Sequence, residues 1–272
     1  MHAGGPDEPE WLDVNRQLWD AMADAHVDSA FYDLAGLVAG RDDLRPWESR
    51  EVGPVDGKRL LHLQCHLGTD TIGWARLGAR CTGLDFSPRA IGIARMLGRW
   101  AGFEMSWVEA NVYDAVAALD EQRFDVVYTG VGALNWLPNL DRWAHVVADL
   151  VEPGGFLYLY EIHPMAMAMD DTGTRLIDDL IGGPFQRLDD GQGTYAAPDA
   201  ELEVTESFER VHSIDEILSA VLGAGLVIEH YREFDATPSP APYLERGTDR
   251  LYRFPDGATR FPLTFSLRAR HP

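Results

Sequence analysis

Three groups of residues combine chemically useful types with suggestive spacing. Glu161 and His163 close an apolar run in the sequence Glu-Ile-His-Pro. In an extended chain, residues i and i+2 share a face. A carboxylate and an imidazole so placed form an acid/base pair able to take a substrate proton. A polar strand terminus with water partners accounts for the same residues without catalysis. His62 and His66 bracket the end of another apolar run, His-Leu-Gln-Cys-His-Leu-Gly. A metal reading fails for want of a third ligand nearby. His62 reads as a satisfied core histidine and His66 as a group reaching a ligand. Asp85 ends the run Arg-Cys-Thr-Gly-Leu-Asp, where it either forms a turn or accepts two hydrogen bonds from the vicinal hydroxyls of a ribose.

The stretch from Arg59 to Asp85 must position two of these groups. Arg59–Leu63 reads as a strand, 64–68 as a loop, Thr69–Leu77 as a helix stopped by Gly78, and Arg80–Leu84 as a second strand. Parallel strands joined by one helix make a right-handed βαβ unit. That unit brings the first loop and Asp85 together at the carboxyl edge of a sheet, where open α/β sheets bind ligands.

The alternation continues. Ser87-Pro88 caps a helix reaching Trp100, and a strand spans Glu104–Glu109. Phe124–Thr129 is a dense β-branched strand, and Leu140–Val151 is a helix with Trp143, Val146, Val147 and Leu150 on one face. Phe156–Ile162 is the fifth strand. A Ser213/Glu216 capping box, a strand at Leu226–Phe234 and a last strand at Phe261–Leu267 complete the chain. The fold class expected is α/β: a doubly wound, Rossmann-like, seven-stranded sheet, mostly parallel with a reversed last strand. Residues 1–50 form an N-terminal helical lid, with 1–9 disordered and Trp19, Tyr32 and Trp47 as its notable aromatics. Residues 51–272 form the main domain, in which 165–212 is an insertion or substrate cap.

Composition narrows the partners. Of 272 residues, 46% are apolar and 10% aromatic, enough for a sizeable core. The formal net charge of −21 repels phosphate backbones and anionic membranes, so neither nucleic acid nor a membrane is expected as a partner. No apolar run approaches the roughly 20 residues of a spanning helix, and the acidic start carries no signal peptide. Two cysteines without metal spacing, Cys65 and Cys81, read as free thiols in a reducing cytoplasm. The expected state is a monomer or homodimer.

These motifs, in this order, resemble those of class I S-adenosylmethionine-dependent methyltransferases of the bacterial small-molecule type. His62 to Gly68 matches the family's D-x-G-x-G-x-G loop. Only Gly68 keeps the family residue, and Gln64 and His66 replace glycines in an LHLQCH-x-G-x-D variant. The resemblance implies a loop, Gln64, Cys65, His66 and Gly68, beneath the methionine part of S-adenosylmethionine. It further implies Asp85 on the ribose, Phe86 beside the adenine, and Asn111 and Val112 on the adenine edge. Thr129 and Gly130 face the ammonium, and Tyr32 closes from the lid. The turn before the fifth strand, Leu150 to Gly155, matches an L-x-P-G-G element. Trp19, Asn135, Trp136 and Tyr195 are the expected acceptor contacts, Glu161 and His163 the catalytic pair, and no metal is expected. The function implied is methyl transfer to a small organic acceptor of the natural-product kind, leaving S-adenosylhomocysteine. Two alternatives stand beside it. One is a cyclase or sensor that binds the cofactor without transferring methyl. The other is a nicotinamide-dependent oxidoreductase, disfavoured because G-x-G-x-x-G is absent.

Overall fold

The computed structural model describes residues 8–189 and 191–272; the expected disorder of residues 1–7 lies outside them. Helix α1 (Glu8–Val27), which takes in Glu8 and Pro9, is followed by the short α2 (Leu34–Val38) and α3 (Pro46–Val52). Strand β1 (Arg59–Leu63), α4 (Thr69–Arg76) and β2 (Arg80–Asp85) make the expected βαβ unit. Then come α5 (Pro88–Trp100), β3 (Ser106–Glu109), α6 (Ala115–Ala118), β4 (Phe124–Thr129), α7 (Leu140–Leu150) and β5 (Val151–Ile162). The remaining elements are α8 (Pro164–Met167), β6 (Gln186–Asp189), β7 (Glu206–Glu209), α9 (Ile214–Gly223), β8 (Val227–Phe234), β9 (Ala236–Thr237), β10 (Glu245–Arg246), β11 (Tyr252–Arg253) and β12 (Thr264–Arg270).

The main sheet has seven strands in the order β3-β2-β1-β4-β5-β12-β8. Strands β1 to β5 pair in parallel, and β12 runs antiparallel to both β5 and β8. The chain leaves β1 towards β2 on one side and returns to β4 on the other. The switch point between β1 and β4 therefore opens a crevice at their carboxyl ends. Helix starts are fixed locally: the Ser87 hydroxyl accepts the Ala90 N–H, Asn139 accepts the Arg142 N–H, and Ser213 and Glu216 form the capping box.

Three details differ from the sequence expectation. Strand β12 starts later, because Pro262 lacks an N–H for the ladder. It also runs past the apolar stretch through Arg270, since Arg268 lies 3.7 Å over the Phe156 ring and donates to Glu229 at 2.7 Å. Strand β5 begins at Val151, already paired with Phe124, so α7 stops before the Pro153-Gly154-Gly155 turn. Within residues 165–212, β6 and β7 form an antiparallel pair; β7 falls in the weakly alternating stretch from Thr194 to Arg210, whereas β6 falls in a stretch without a clear period. Helix α1 lies across that pair and α5. Asn15 locks it there, donating to Phe208 O at 2.8 Å and accepting the Phe208 N–H at 2.7 Å.

Candidate active site

The crevice holds two adjoining cavities, of about 700 and 1070 Å³ including space open to solvent. Trp19, Tyr32, Gln64, His66, Trp136 and Tyr195 line both. Asp85, Phe86, Asn111 and Val112 line the first, on the β2 and β3 side. Cys65, Gly130 and Asn135 line the second, with His62, Asp70 and Arg45. Thirteen residues expected from sequence thus gather at one edge: Tyr32, Gln64, Cys65, His66, Asp85, Phe86, Asn111, Val112, Gly130, Trp19, Asn135, Trp136 and Tyr195.

The loop after β1 accounts for much of the geometry. Gln64 and His66 adopt φ of 56° and 47°, so both sit in the left-handed region although each carries a Cβ. The backbone thus turns where the family has glycines, at a cost of about 1–2 kcal/mol per residue. Gly68 is constrained differently: a Cβ there would meet the Trp107 ring at 2.3 Å. Asp85 pins the loop by accepting the His66 N–H at 2.8 Å, and its other oxygen accepts the Ser87 N–H at 2.9 Å. Burial pushes the Asp85 carboxyl up to about 6, against the opposing pull of those backbone donors. Gln64 Nε2 donates to Ala133 O at 2.9 Å, while Gln64 Oε1 and His66 Nδ1 are shielded from solvent without hydrogen-bond partners.

The expected acid/base pair is not in this crevice. Glu161 is only 3% exposed and lines neither cavity. Its carboxylate turns beneath the loop after β4 and accepts N–H groups from Gly132, from Ala133 at 2.8 Å, from Leu134 at 2.9 Å and from its neighbour Ile162. His163 lies one residue past the end of β5, where strand alternation no longer holds. It turns to the β12 side, accepting the Met165 N–H on Nδ1 at 3.1 Å and lying 3.5 Å from Glu233 through Nε2. The structure thus places both side chains against backbone N–H donors, outside the lining of the two cavities. Gly68 and Thr129 also lie outside the lining; Thr129 is fully buried in β4.

Sequence reasoning passed over several lining residues. Arg45 donates to Asp70 at 3.1 Å on the floor of the second cavity. The Tyr128 hydroxyl lies 2.7 Å from Glu48 and 3.2 Å from Asp70, and burial raises Glu48 to about 7. Asp70 was legible as the last acid of the LHLQCH-x-G-x-D stretch, in the first turn of α4. Gly130 leaves room here, since a Cβ would lie 3.3 Å from His62 Nε2 and 3.4 Å from Asp70. His62 itself pairs with Thr71 at 2.8 Å. Trp11 and Asn15 of α1 complete the first cavity.

The model of a methyltransferase-domain family matches residues 61–157, which contain the loop, Asp85, Asn111 and Gly130. The chain therefore carries a methyltransferase-type domain, and its fold is that of S-adenosylmethionine-dependent methyltransferases. It is 26% identical over 175 residues to a ubiquinone biosynthesis O-methyltransferase of Aeromonas salmonicida, covering 62% of this chain and 73% of that protein. It is 32% identical over 131 residues to the protein of that name from Alkalilimnicola ehrlichii, covering 47% of this chain and 52% of the relative. The chain thus spans only about half the length of several such relatives. Among solved structures, an S-adenosylmethionine-dependent methyltransferase from Mesorhizobium loti superposes with a TM-score of 0.57 at 21% identity, over 86% of this chain and 99% of that one. A glycopeptide N-methyltransferase complexed with S-adenosylhomocysteine gives 0.54 at 18% identity, over 83% and 87%. Both share the methyltransferase fold. The methyl donor of such enzymes, S-adenosylmethionine, suits the crevice: the buried Asp85 carboxyl lines the first cavity, and two shielded polar atoms, Gln64 Oε1 and His66 Nδ1, lack protein partners. Among the described residues no group of three His, Cys, Asp or Glu side chains forms a metal site, and no helix is long and apolar enough to cross a membrane.

Proposed function

We propose that this protein methylates a small, largely apolar or aromatic acceptor of the natural-product kind, using S-adenosylmethionine. The observation that carries the reading is the pair of adjoining cavities: the first is lined by Asp85, Phe86, Asn111 and Val112, the second by aromatic side chains and Asp70. Asp85 would accept the ribose hydroxyls, Phe86 and Val112 would flank the adenine, and the Asn111 amide would read its edge. Gln64, His66 and the Gly130 backbone would hold the amino-acid part. When bound, S-adenosylmethionine supplies a methyl group activated by a sulfonium.

The chain's own contribution is position and dryness. Trp19 packs edge-on to His66 at 4.9 Å and to Trp136 at 5.2 Å, an aromatic cluster lining both cavities that would help exclude water once ligands are bound. Tyr32 and Tyr195 meet through their hydroxyls at 2.5 Å, joining the N-terminal segment to the segment after β5 over the crevice. With Asn135 they would fix the acceptor's orientation. Aromatic faces also tolerate the positive charge of the donor. An oxygen nucleophile is favoured by the O-methyltransferase names of the sequence relatives.

Trideuteromethyl-labelled donor, incubated with a panel of phenolic and other small metabolites and followed by mass spectrometry, tests the function. Transfer of label to a small acceptor, together with saturable calorimetric binding of S-adenosylhomocysteine, is the expected result. Saturable NAD binding without any response to S-adenosylhomocysteine sinks the reading.

A further inference from the structure

Three segments far apart in sequence meet at one imidazole beside the crevice. Thr194 Oγ lies 3.0 Å from His26 Nε2, and His26 Nδ1 lies 2.9 Å from His66 Nε2. His26 comes from the last turn of α1, His66 from the loop after β1, and Thr194 from between β6 and β7. His26 is fully buried. The remaining nitrogen, His66 Nδ1, is shielded and has no hydrogen-bond partner, while His66 lines both cavities.

Counting lone pairs fixes the protons in this row. Thr194 Oγ accepts the N–H of Ala196 at 3.1 Å and that of Ala197 at 2.9 Å. A hydroxyl oxygen has two lone pairs, so these donors fill it. The Thr194 proton is then donated to His26 Nε2. That nitrogen is bare, so His26 carries its hydrogen on Nδ1 and donates to His66 Nε2. His66 in turn carries its hydrogen on Nδ1. Burial lowers His26 to about 4 and holds His66 well below its ordinary value, so each ring keeps one proton at neutral pH.

We propose that Thr194 and His26 are positioning residues that lock His66 in its Nδ1–H tautomer, presenting a hydrogen-bond donor to an oxygen of the bound ligand. That oxygen is either the amino-acid carboxylate of the cofactor or a phenolic oxygen of the methyl acceptor. The lock itself is independent of the reaction; only the choice of ligand rests on the methyltransferase reading. Two covering segments thereby tune a group on the cofactor loop, and the site is fully built only when both are seated.

Nitrogen-15 histidine labelling of the full chain, with imidazole proton–nitrogen correlations, tests the lock directly. Ligand-free protein should show His66 with Nδ1 protonated and Nε2 bare; the reverse tautomer overturns the proposal. S-adenosylhomocysteine shifting the Nδ1–H resonance, with 5′-methylthioadenosine silent, assigns the cofactor carboxylate. A shift only when catechol joins the S-adenosylhomocysteine complex assigns an acceptor oxygen. No shift with any of these removes the donor role. A locked tautomer in a protein that ignores S-adenosylhomocysteine supports the lock and overturns the cofactor reading. Thr194→Ser should keep the tautomer and bind S-adenosylhomocysteine within about twofold. Thr194→Val should mix the tautomers and weaken binding about tenfold, the value of one neutral hydrogen bond. Weaker binding with the tautomer unchanged overturns the relay. Should the valine variant fail to fold, the wild-type spectrum alone still decides.

Discussion

At the end of β1, Gln64 and His66 leave the sheet with φ of 56° and 47°, and each keeps a shielded polar atom without a protein partner. At the end of β5, Glu161 spends its carboxylate on four backbone N–H groups, and His163 caps α8. In sequence the two places look alike: polar side chains, two residues apart, closing an apolar strand. Their use is opposite. Unmet hydrogen-bonding capacity and a costly backbone mark the β1 end as built for a ligand. The fully engaged Glu161 carboxylate and an ordinary strand mark the β5 end as a brace for the loop that forms the crevice wall, although His163 Nε2 there also lacks a hydrogen-bond partner.

The largest effect should come from breaking that brace. Glu161→Ala leaves buried N–H groups of Gly132, Ala133 and Leu134 without an acceptor, and is expected to cost about 3–5 kcal/mol of stability. Urea denaturation measures it. Glu161→Gln, which keeps the shape, should lose less stability and retain most of kcat well below its transition. A hundredfold loss of kcat with stability intact restores Glu161 to catalysis.

Next in size is Asp85→Asn. Charge-assisted hydrogen bonds to the ligand and to the loop are weakened together, so affinity for S-adenosylhomocysteine should fall by about 1.5–3 kcal/mol. The pH dependence follows from a carboxyl raised to about 6. Ligand hydroxyls favour its ionised form, so binding should weaken as pH falls through about 6, and the asparagine variant should lose that dependence. In ligand-free protein the sign reverses. A raised carboxyl contributes stability that is full below the unfolded value near 4 and is lost as pH rises through about 6. The stability of Asp85→Asn relative to wild type should therefore be more favourable at pH 7.5 than at pH 5. A stability difference independent of pH means Asp85 titrates normally.

These effects bear on what was legible beforehand. The seven-stranded, mostly parallel sheet with its reversed last strand, the βαβ unit and the edge position of Asp85 follow from local patterns: apolar runs, caps and strand ends; Asn111 and Gly130 are pointed to by the family resemblance. What escaped depends on contacts distant in sequence. His26 and Thr194 pair across 168 positions, and Arg45 reaches Asp70 from a segment that precedes the sheet. The β6–β7 pair is held by α1 through Asn15, so its own alternation carries little of its stability. Glu161 and His163 do not share a face as expected, because alternation applies within a strand and β5 ends between them at Ile162.

A smaller effect should follow from returning glycine to the β1 loop. Gln64→Gly relieves the left-handed cost but loses the 2.9 Å bond to Ala133 and adds backbone entropy to the unfolded chain. These terms nearly cancel, so stability should stay within about 1 kcal/mol while affinity for S-adenosylhomocysteine drops several-fold. Unchanged affinity in calorimetric titration means the side chain serves the loop alone.

The smallest effect should come from His163→Asn. The native imidazole accepts the Met165 N–H as the cap of α8, and asparagine is a good cap for the same N–H. What is lost is the contact with Glu233, which is 47% exposed and 3.5 Å away. Solvent screens such a pair, and burial lowers His163, so little positive charge is present at neutral pH to reward it. Stability should change by less than about 0.5 kcal/mol, and kcat should stay within about twofold. The rate profile should also lack a step belonging to this residue. A general base typically contributes 10²–10⁴-fold, so even a thirtyfold fall in kcat with unchanged melting would return His163 to the chemistry and end the contrast between the two strand ends.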